Sequence, residues 1–169
     1  MKNVIIILFL LIGNYLIAQG QDSFANAIIS LDTEFEFKQK TDSYKTSKKP
    51  DKGLMERFYK CAEFELSELK ELDFEKIINV KSSELITTKW EGRKNQIEFQ
   101  EWEFENEGYT DEFVGILDCM PHTHIQFCVN KGGIMWWKNK NKLYVVTSGA
   151  YFMTYHYKEI KETIKKAIN

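Results

Sequence analysis

The longest unbroken apolar run of the chain lies at its N-terminus. Val4–Ile12 is entirely apolar, follows Lys2 and precedes Gly13-Asn14, and a small residue stands before a polar one at Ala18-Gln19. A positive start, an apolar core and a small residue at the cut are the parts of a cleavable secretory signal. A permanent anchor is the alternative, but spanning needs roughly 20 apolar residues. The pattern predicts a signal peptide over 1–18 and a secreted or periplasmic product without a membrane span.

Apolar residues at helical spacing follow the signal segment. Positions 24, 27, 28, 31 and 35 are apolar, and Asp22 or Ser23 can cap the first turn, which predicts a helix over residues 23–37. Residues 38–53 are polar and lysine-rich, which predicts a surface loop. Residues 54–72 fit both helical and alternating patterns, and their Glu, Lys and Leu content favours a helix. An isoleucine stripe predicts a last helix over 159–168.

Alternating and aromatic-rich segments dominate the rest of the chain. Predicted strands, separated by short turns, are Leu85–Glu91, Gln96–Glu105, Phe113–Cys119, His124–Val129, Ile134–Trp137, Leu143–Ser148 and Tyr151–Tyr157. Such short connections favour antiparallel neighbours, because parallel pairs need a crossover. The expected fold is one α+β domain over 19–169, with N-terminal helices, an antiparallel meander of about five to seven strands and a short C-terminal helix.

One of these strands changes phase. Ile97 and Phe99 occupy odd positions, whereas Trp102 and Phe104 occupy even ones. A β-bulge near Gln100-Glu101 would bring all four side chains to one face. The pattern therefore predicts a bulge there.

Composition and charge exclude some partners. The chain has 23 basic and 25 acidic residues, a formal net charge of −2, which gives no electrostatic footprint for nucleic acid. The acidic segment 91–112 has no Asp-rich loop with a central Gly, so calcium is not expected. We expect no cofactor, and the unknown partner is a small ligand or a protein.

The cysteines permit several arrangements. Cys61, Cys119 and Cys128 are odd in number, so at least one thiol is not bonded within the chain. If 124–129 is extended, His124 and Cys128 are about 13 Å apart, too far to share one zinc ion. A tight turn at 121–122 also separates Cys119 from Cys128. A wider loop would allow that bond, and bonds to Cys61 stay open. The exported domain is then expected to depend mainly on its apolar core.

The same predicted hairpin makes Cys119 and His124 cross-strand neighbours. A thiol beside an imidazole is the minimal arrangement of an activated nucleophile. A structural cysteine and a surface histidine are the alternative. This pair defines the second functional hypothesis, a small hydrolase or thiol-dependent enzyme.

Aromatic residues concentrate in the last predicted strands. Trp136, Trp137, Tyr144 and Tyr155 would distribute over both faces of a sheet, because adjacent residues point to opposite sides. One face covers the core; the other meets a helix, a partner or a ligand. The first functional hypothesis is therefore a non-enzymatic module that binds a small ligand, glycan, lipid or protein on this aromatic face. An inhibitor or immunity-type protein with an acidic surface is a third possibility.

Overall fold

The computed structural model describes residues 22–64, 67–90, 94–120, 125–126, 128–130, 132–149 and 152–169. The predicted signal segment lies outside them. The helices are α1 (Ser23–Phe35), α2 (Lys52–Phe64), α3 (Glu107–Asp118) and α4 (Phe152–Ile168). The strands are β1 (Lys38–Gln39), β2 (Lys45–Ser47), β3 (Ile77–Thr87), β4 (Asn95–Phe104), β5 (Ile134–Asn139) and β6 (Lys142–Ser148). Short 3₁₀ helices cover Ser67–Glu71 and Phe74–Lys76.

The strands form an antiparallel sheet in the order β1-β3-β4-β6-β5, with β2 also paired to β3. This confirms the α+β class, the antiparallel sheet and the C-terminal helix. The connectivity departs from a plain meander, because β6 rather than β5 pairs with β4 and α3 separates the two hairpins along the chain. In the described ranges, no helix combines the length and the apolarity needed to cross a bilayer.

Helices pack on both faces of the sheet, so the molecule has two apolar cores. We name each face of the sheet after the helices that cover it. On the α1/α4 face, a core forms from Phe24, Leu31, Ile97, Phe99, Trp137, Tyr144, Ile160 and Ile164, among others. On the α2/α3 face, a second core includes Leu54, Phe58, Val80, Trp102, Phe104, Phe113, Trp136 and Leu143. The sheet is therefore the middle layer of three.

The two cores explain the phase change in β4 and correct the predicted bulge. Pairing between β3 and β4 is regular from Asn79↔Glu103 to Thr87↔Asn95, and the irregularity lies between Ile77 and Asn79 instead. Phe99 belongs to the α1/α4 core and Trp102 to the α2/α3 core. The hydrophobic side of the strand changes because each end is covered on a different face.

Two predicted strands are α-helical. The segment predicted at 113–119 lies in α3, because the Asn106 side chain accepts a hydrogen bond of 3.1 Å from the Tyr109 N–H and caps the helix. Thr110, Phe113 and Leu117 then fall on one buried face. The segment predicted at 151–157 is helical from Phe152. Its aromatic residues suggested a strand, but helical packing prevails over that weak propensity.

The remaining predictions are refined rather than replaced. The helix predicted over 23–37 is confirmed as α1, and the Leu54–Leu72 segment is α2 followed by a 3₁₀ turn. The predicted loop 38–53 is a largely exposed segment that also contains β1 and β2. In the predicted strand 124–129, residues 125, 126 and 128 are helical and His124 lies outside the described residues.

A disulfide joins Cys61 on α2 to Cys128, across a sequence separation of 67. This pairing is one of the bonds to Cys61 that the sequence left open. The helical course of the chain near Cys128 replaces the hairpin that was predicted to separate Cys119 from Cys128. Loop closure over this separation corresponds to about 4 kcal/mol of stabilisation in the chain-entropy view. One disulfide therefore supplements the two apolar cores, and Cys119 is a free, exposed thiol.

Candidate functional site

The aromatic residues predicted to bind a ligand lie mainly inside the protein. Trp136 is 6% exposed and Trp137 is 7% exposed, on opposite faces of β5. Tyr144 is buried, whereas Tyr155 on α4 is 80% exposed. Helices therefore cover both aromatic faces, and these four residues do not share one open surface.

The buried aromatic rings form a ladder on the α1/α4 face. Phe24 stacks on Phe99 at 4.7 Å between centroids, Phe99 on Tyr144 at 6.2 Å, and Tyr144 on Trp137 at 5.7 Å. On the other face, the Trp136 Nε1 donates to Asp118 at 2.8 Å and ties β5 to the end of α3. The aromatic concentration is explained by packing.

The predicted thiol site loses the hairpin on which it depended. Cys119 is the C-cap of α3, with its N–H bonded to the Gly115 carbonyl. It is therefore not a strand residue with a cross-strand neighbour. Its predicted partner, His124, lies outside the described residues. His156, one of the three histidines of the chain, lies on α4 and stacks on Trp90 at 4.4 Å between ring centroids.

An open concavity lies on the polar end of the α2/α3 face. This polar cleft has a volume of about 410 Å³. Its floor is formed by β3 and β4, and its walls by the β2 region and the start of α2. The lining residues are Ser43, Lys45, Ser47, Lys49, Pro50, Asp51, Leu54, Arg57, Val80, Ser82, Glu84, Glu98 and Gln100.

The floor is polar because of the register between β3 and β4. Ser82 pairs with Gln100, and Glu84 pairs with Glu98, one step beyond the core pair Val80↔Trp102. Directly opposed carboxylates are unfavourable in a sheet unless their charges are compensated. Packing therefore does not account for Glu84 opposite Glu98.

The Glu98 carboxylate is held in a fixed orientation. Ser82 Oγ and Gln100 Nε2 both donate to Glu98 Oε1 at 2.8 Å. The Trp102 Nε1 donates to Gln100 Oε1 at 2.6 Å. An indole N–H only donates, so the amide oxygen of Gln100 must face Trp102 and its NH₂ must face Glu98. The core thus sets the orientation of a carboxylate in the cleft.

Of the six charged groups that line the cleft, two are in ion pairs and a third caps a helix. Lys40 Nζ lies 2.6 Å from Glu84 Oε2. Lys49 pairs with Glu75. Asp51 Oδ1 accepts from the Gly53 N–H at 2.7 Å at the start of α2.

The other charged groups have no counter-charge in the described part of the chain. Glu98 receives only neutral donors. Arg57 on α2 and Lys45 on β2 form no ion pair with any described residue, and both are exposed. One oriented carboxylate and two cations therefore line the same concavity without neutralising one another.

A second polar cluster lies on the α1/α4 face and is closed. We call it the Glu101 network. Glu101 is 1% exposed; Lys142 Nζ lies 2.9 Å and Lys81 Nζ 3.8 Å from its Oε1. Ser23 Oγ donates to its Oε2 at 3.3 Å, and Lys81 also pairs with Asp22 at 2.7 Å. Each buried charge is compensated within the protein.

The network also shifts proton affinities. Burial raises the pKa of Asp22, but the hydrogen bond and charge of Lys81 outweigh it and hold this pKa below 3.8. Burial lowers the pKa of Lys81, while Asp22 and Glu101 raise it above 10.5 overall. Burial raises the pKa of Tyr144. The network is thus stabilised in its charged, paired form.

A smaller concavity of about 210 Å³ lies between the 3₁₀ turns and α3. Its acidic rim is Glu71, Asp73 and Glu112. Lys76 already occupies it, with Nζ 4.7 Å from the Tyr109 ring centroid. In the segments the structure describes, no three His, Cys, Asp or Glu side chains are grouped to hold a metal ion.

Comparisons with protein-family models, with curated proteins and with solved structures gave no match to this chain. The polar cleft was missed from the sequence, because its floor residues lie on two strands. The sequence carried no usable signal for it, because the pairing of Ser82 with Gln100 and of Glu84 with Glu98 is visible only in the strand register of the structure.

Proposed function

We propose that this protein is an exported, non-enzymatic binding module whose ligand site is the polar cleft. The binding class is that of the first sequence hypothesis, but the site moves from the aromatic face to the cleft, because helices bury that face. The observation that carries the proposal is Glu98, an oriented carboxylate without a counter-charge in the described ranges, which lines the same cleft as Arg57 and Lys45. Convergent polar groups in a concavity of a few hundred Å³ are typical of small-ligand sites.

Binding rather than turnover is supported by what the lining hydroxyls do. Ser82 donates to Glu98, Ser47 donates to the Lys49 carbonyl, and Ser43 shares a hydrogen bond with Ser83. An activated serine is typically paired with an imidazole or an amine rather than with a carboxylate. No His or Cys is among the described residues that line the cleft.

Two observations support export. The N-terminal pattern of Lys2, Val4–Ile12 and Ala18 is that of a cleavable signal. The Cys61–Cys128 disulfide adds to it, because disulfides persist in oxidising compartments. Sequencing the N-terminus of the protein recovered outside the cytoplasm should give Gln19 as the first residue. Protein found only in the cytoplasm with Lys2 retained would contradict export.

The binding site is tested by a fragment screen. The ¹⁵N-labelled, disulfide-bonded protein is titrated with mixtures of amino acids, monosaccharides, organic acids and nucleosides at millimolar concentration. We expect amide shifts at Ser82, Glu98, Gln100 and the first turns of α2. Glu98→Gln should weaken the binding that causes these shifts, whereas Glu103→Gln, the same charge change on the opposite face of β4, should leave it unchanged. Shifts confined to other surfaces, or none, would refute the cleft as the site.

A further inference from the structure

The polar cleft keeps opposite charges apart, and this separation restricts its ligand. Glu98 is on the floor, Arg57 on the α2 wall and Lys45 on the β2 edge. No ion pair joins Glu98 to either cation among the described residues. A ligand in the cleft therefore meets a negative group on the floor and positive groups on the walls.

Glu98 favours an ammonium group over a hydroxyl. Its Oε1 accepts two neutral hydrogen bonds, and its Oε2 has no donor in the described ranges. A partly buried carboxylate is costly until a cation compensates it. Sugar hydroxyls would supply hydrogen bonds but leave the charge in place. An ammonium supplies both, through a charge-assisted hydrogen bond.

Arg57 favours a carboxylate. Its guanidinium has no partner among the described residues and stands on α2, whose N-terminus is fixed by the Asp51 contact with Gly53. A planar guanidinium presents paired donors that match the two oxygens of a carboxylate. Lys45 adds a second positive charge on the opposite wall.

We infer that the ligand of the cleft is a zwitterion with an ammonium group and a carboxylate, the class of amino acids and short peptides. This inference rests on the proposed binding function of the cleft. The ammonium binds Glu98 Oε2, and the carboxylate binds Arg57 with support from Lys45. A volume of about 410 Å³ admits such a molecule.

A ladder of small probes tests the ligand class on the intact, disulfide-bonded protein. Glycine, β-alanine, γ-aminobutyrate and 6-aminohexanoate increase the distance between ammonium and carboxylate. Butylamine and butyrate carry one charge each, and glucuronate carries hydroxyls with an acid. We expect one zwitterion to bind at least about tenfold more tightly than either singly charged probe, because both charged contacts are needed.

Variants then assign the two ends of the probe. Glu98→Gln and Arg57→Gln should each weaken the preferred zwitterion by about tenfold. Glu98→Gln should leave butyrate binding unchanged, and Arg57→Gln should leave butylamine binding unchanged. The controls Glu103→Gln on β4 and Lys60→Gln on α2 lie outside the lining set and should change affinity by less than about twofold.

Different failures separate this inference from the proposed function. If glucuronate or butyrate shifts the cleft amides as much as every zwitterion does, the ligand class is refuted but the proposed binding function is not. Zwitterion binding that is indifferent to Glu98→Gln would also refute the ligand class. If no probe or screened fragment shifts any cleft amide, the proposed function fails first and the inference fails with it.

Discussion

The polar cleft and the Glu101 network occupy polar ends of opposite faces of one sheet. Both contain a glutamate of β4. Glu101 is buried against Lys81 and Lys142, so its charge is compensated inside the molecule. Glu98 is oriented by Ser82 and Gln100 but receives no cation.

The presence or absence of a cationic partner distinguishes a carboxylate that stabilises the fold from one that can bind a ligand. A buried charge with its own partners stabilises one arrangement of the chain. An oriented charge without them keeps part of its interaction free for another molecule. Four predictions test this distinction, from the largest expected effect to the smallest.

The disulfide should matter most, and mainly on the cleft side. Replacing Cys61 and Cys128 together by Ser should lower the free energy of unfolding by about 4 kcal/mol, because the reduced unfolded chain gains freedom. Hydrogen exchange should accelerate more in α2, which walls the cleft, than in α1, which borders the network. Cys119→Ser is the control and should change stability by less than about 0.5 kcal/mol. Equal acceleration of hydrogen exchange in α1 and α2 would contradict a disulfide effect that is concentrated on the cleft side.

Glu101→Gln should lower the free energy of unfolding by about 3 kcal/mol, since it leaves Lys142 without its buried counter-charge and Lys81 with Asp22 alone. Urea unfolding followed by tryptophan fluorescence measures the loss. Glu103→Gln, on the same strand and face, should cost less than about 0.5 kcal/mol. Equal losses for the two variants would show that Glu101 has no special structural role.

Acid should weaken the network through Asp22. Its pKa is below 3.8 in the folded protein, so its contribution is present above that pH and is lost as the pH falls through the folded pKa. Asp22→Asn keeps a good N-cap residue but removes this titration. We expect a shallower fall of unfolding free energy below pH 4, by less than about 1 kcal/mol for a partly exposed pair. An identical acid slope would contradict it.

Glu98→Gln should have the smallest effect on stability, below about 0.5 kcal/mol, because the glutamine oxygen can still accept from Ser82 and Gln100. The same variant should weaken ligand binding in the cleft by about tenfold. Thermal unfolding and the fragment titration measure the two effects on one sample. A large loss of stability would show that Glu98, like Glu101, stabilises the fold.

Local patterns in the sequence predicted part of this fold. The spacing of Phe24, Ala27, Ile28 and Leu31 identified α1, because one helical face is buried. The hairpin of β3 and β4 followed from alternation and turn residues, but its first strand, predicted at 85–91, runs from Ile77 to Thr87. The phase change in β4 was interpreted as a bulge. It arises instead because one end of the strand is buried on the α1/α4 face and the other end on the α2/α3 face. That distinction depends on helices far away in the sequence.

The site was less accessible from the sequence. Burial of Trp137 and Tyr144 depends on α1 and α4 packing over them, and no local pattern specifies that cover. The Cys61–Cys128 bond was one of several pairings left open, because no local pattern shows that α2 brings Cys61 next to Cys128. Glu98 is one of many glutamates in the sequence, and its lack of a counter-charge is a property of tertiary structure alone.

The placement of the two cores at different ends of the strands has a consequence for redesign. Ser82, Glu84 and Glu98 belong to neither apolar core, although they stand on the central strands of the sheet. Their side chains can be exchanged without removing any core contact, while the backbone beneath them stays fixed by packing at both ends. The molecule is in this sense a scaffold with a rigid floor and replaceable lining, on which a new binding preference can be introduced by a few substitutions.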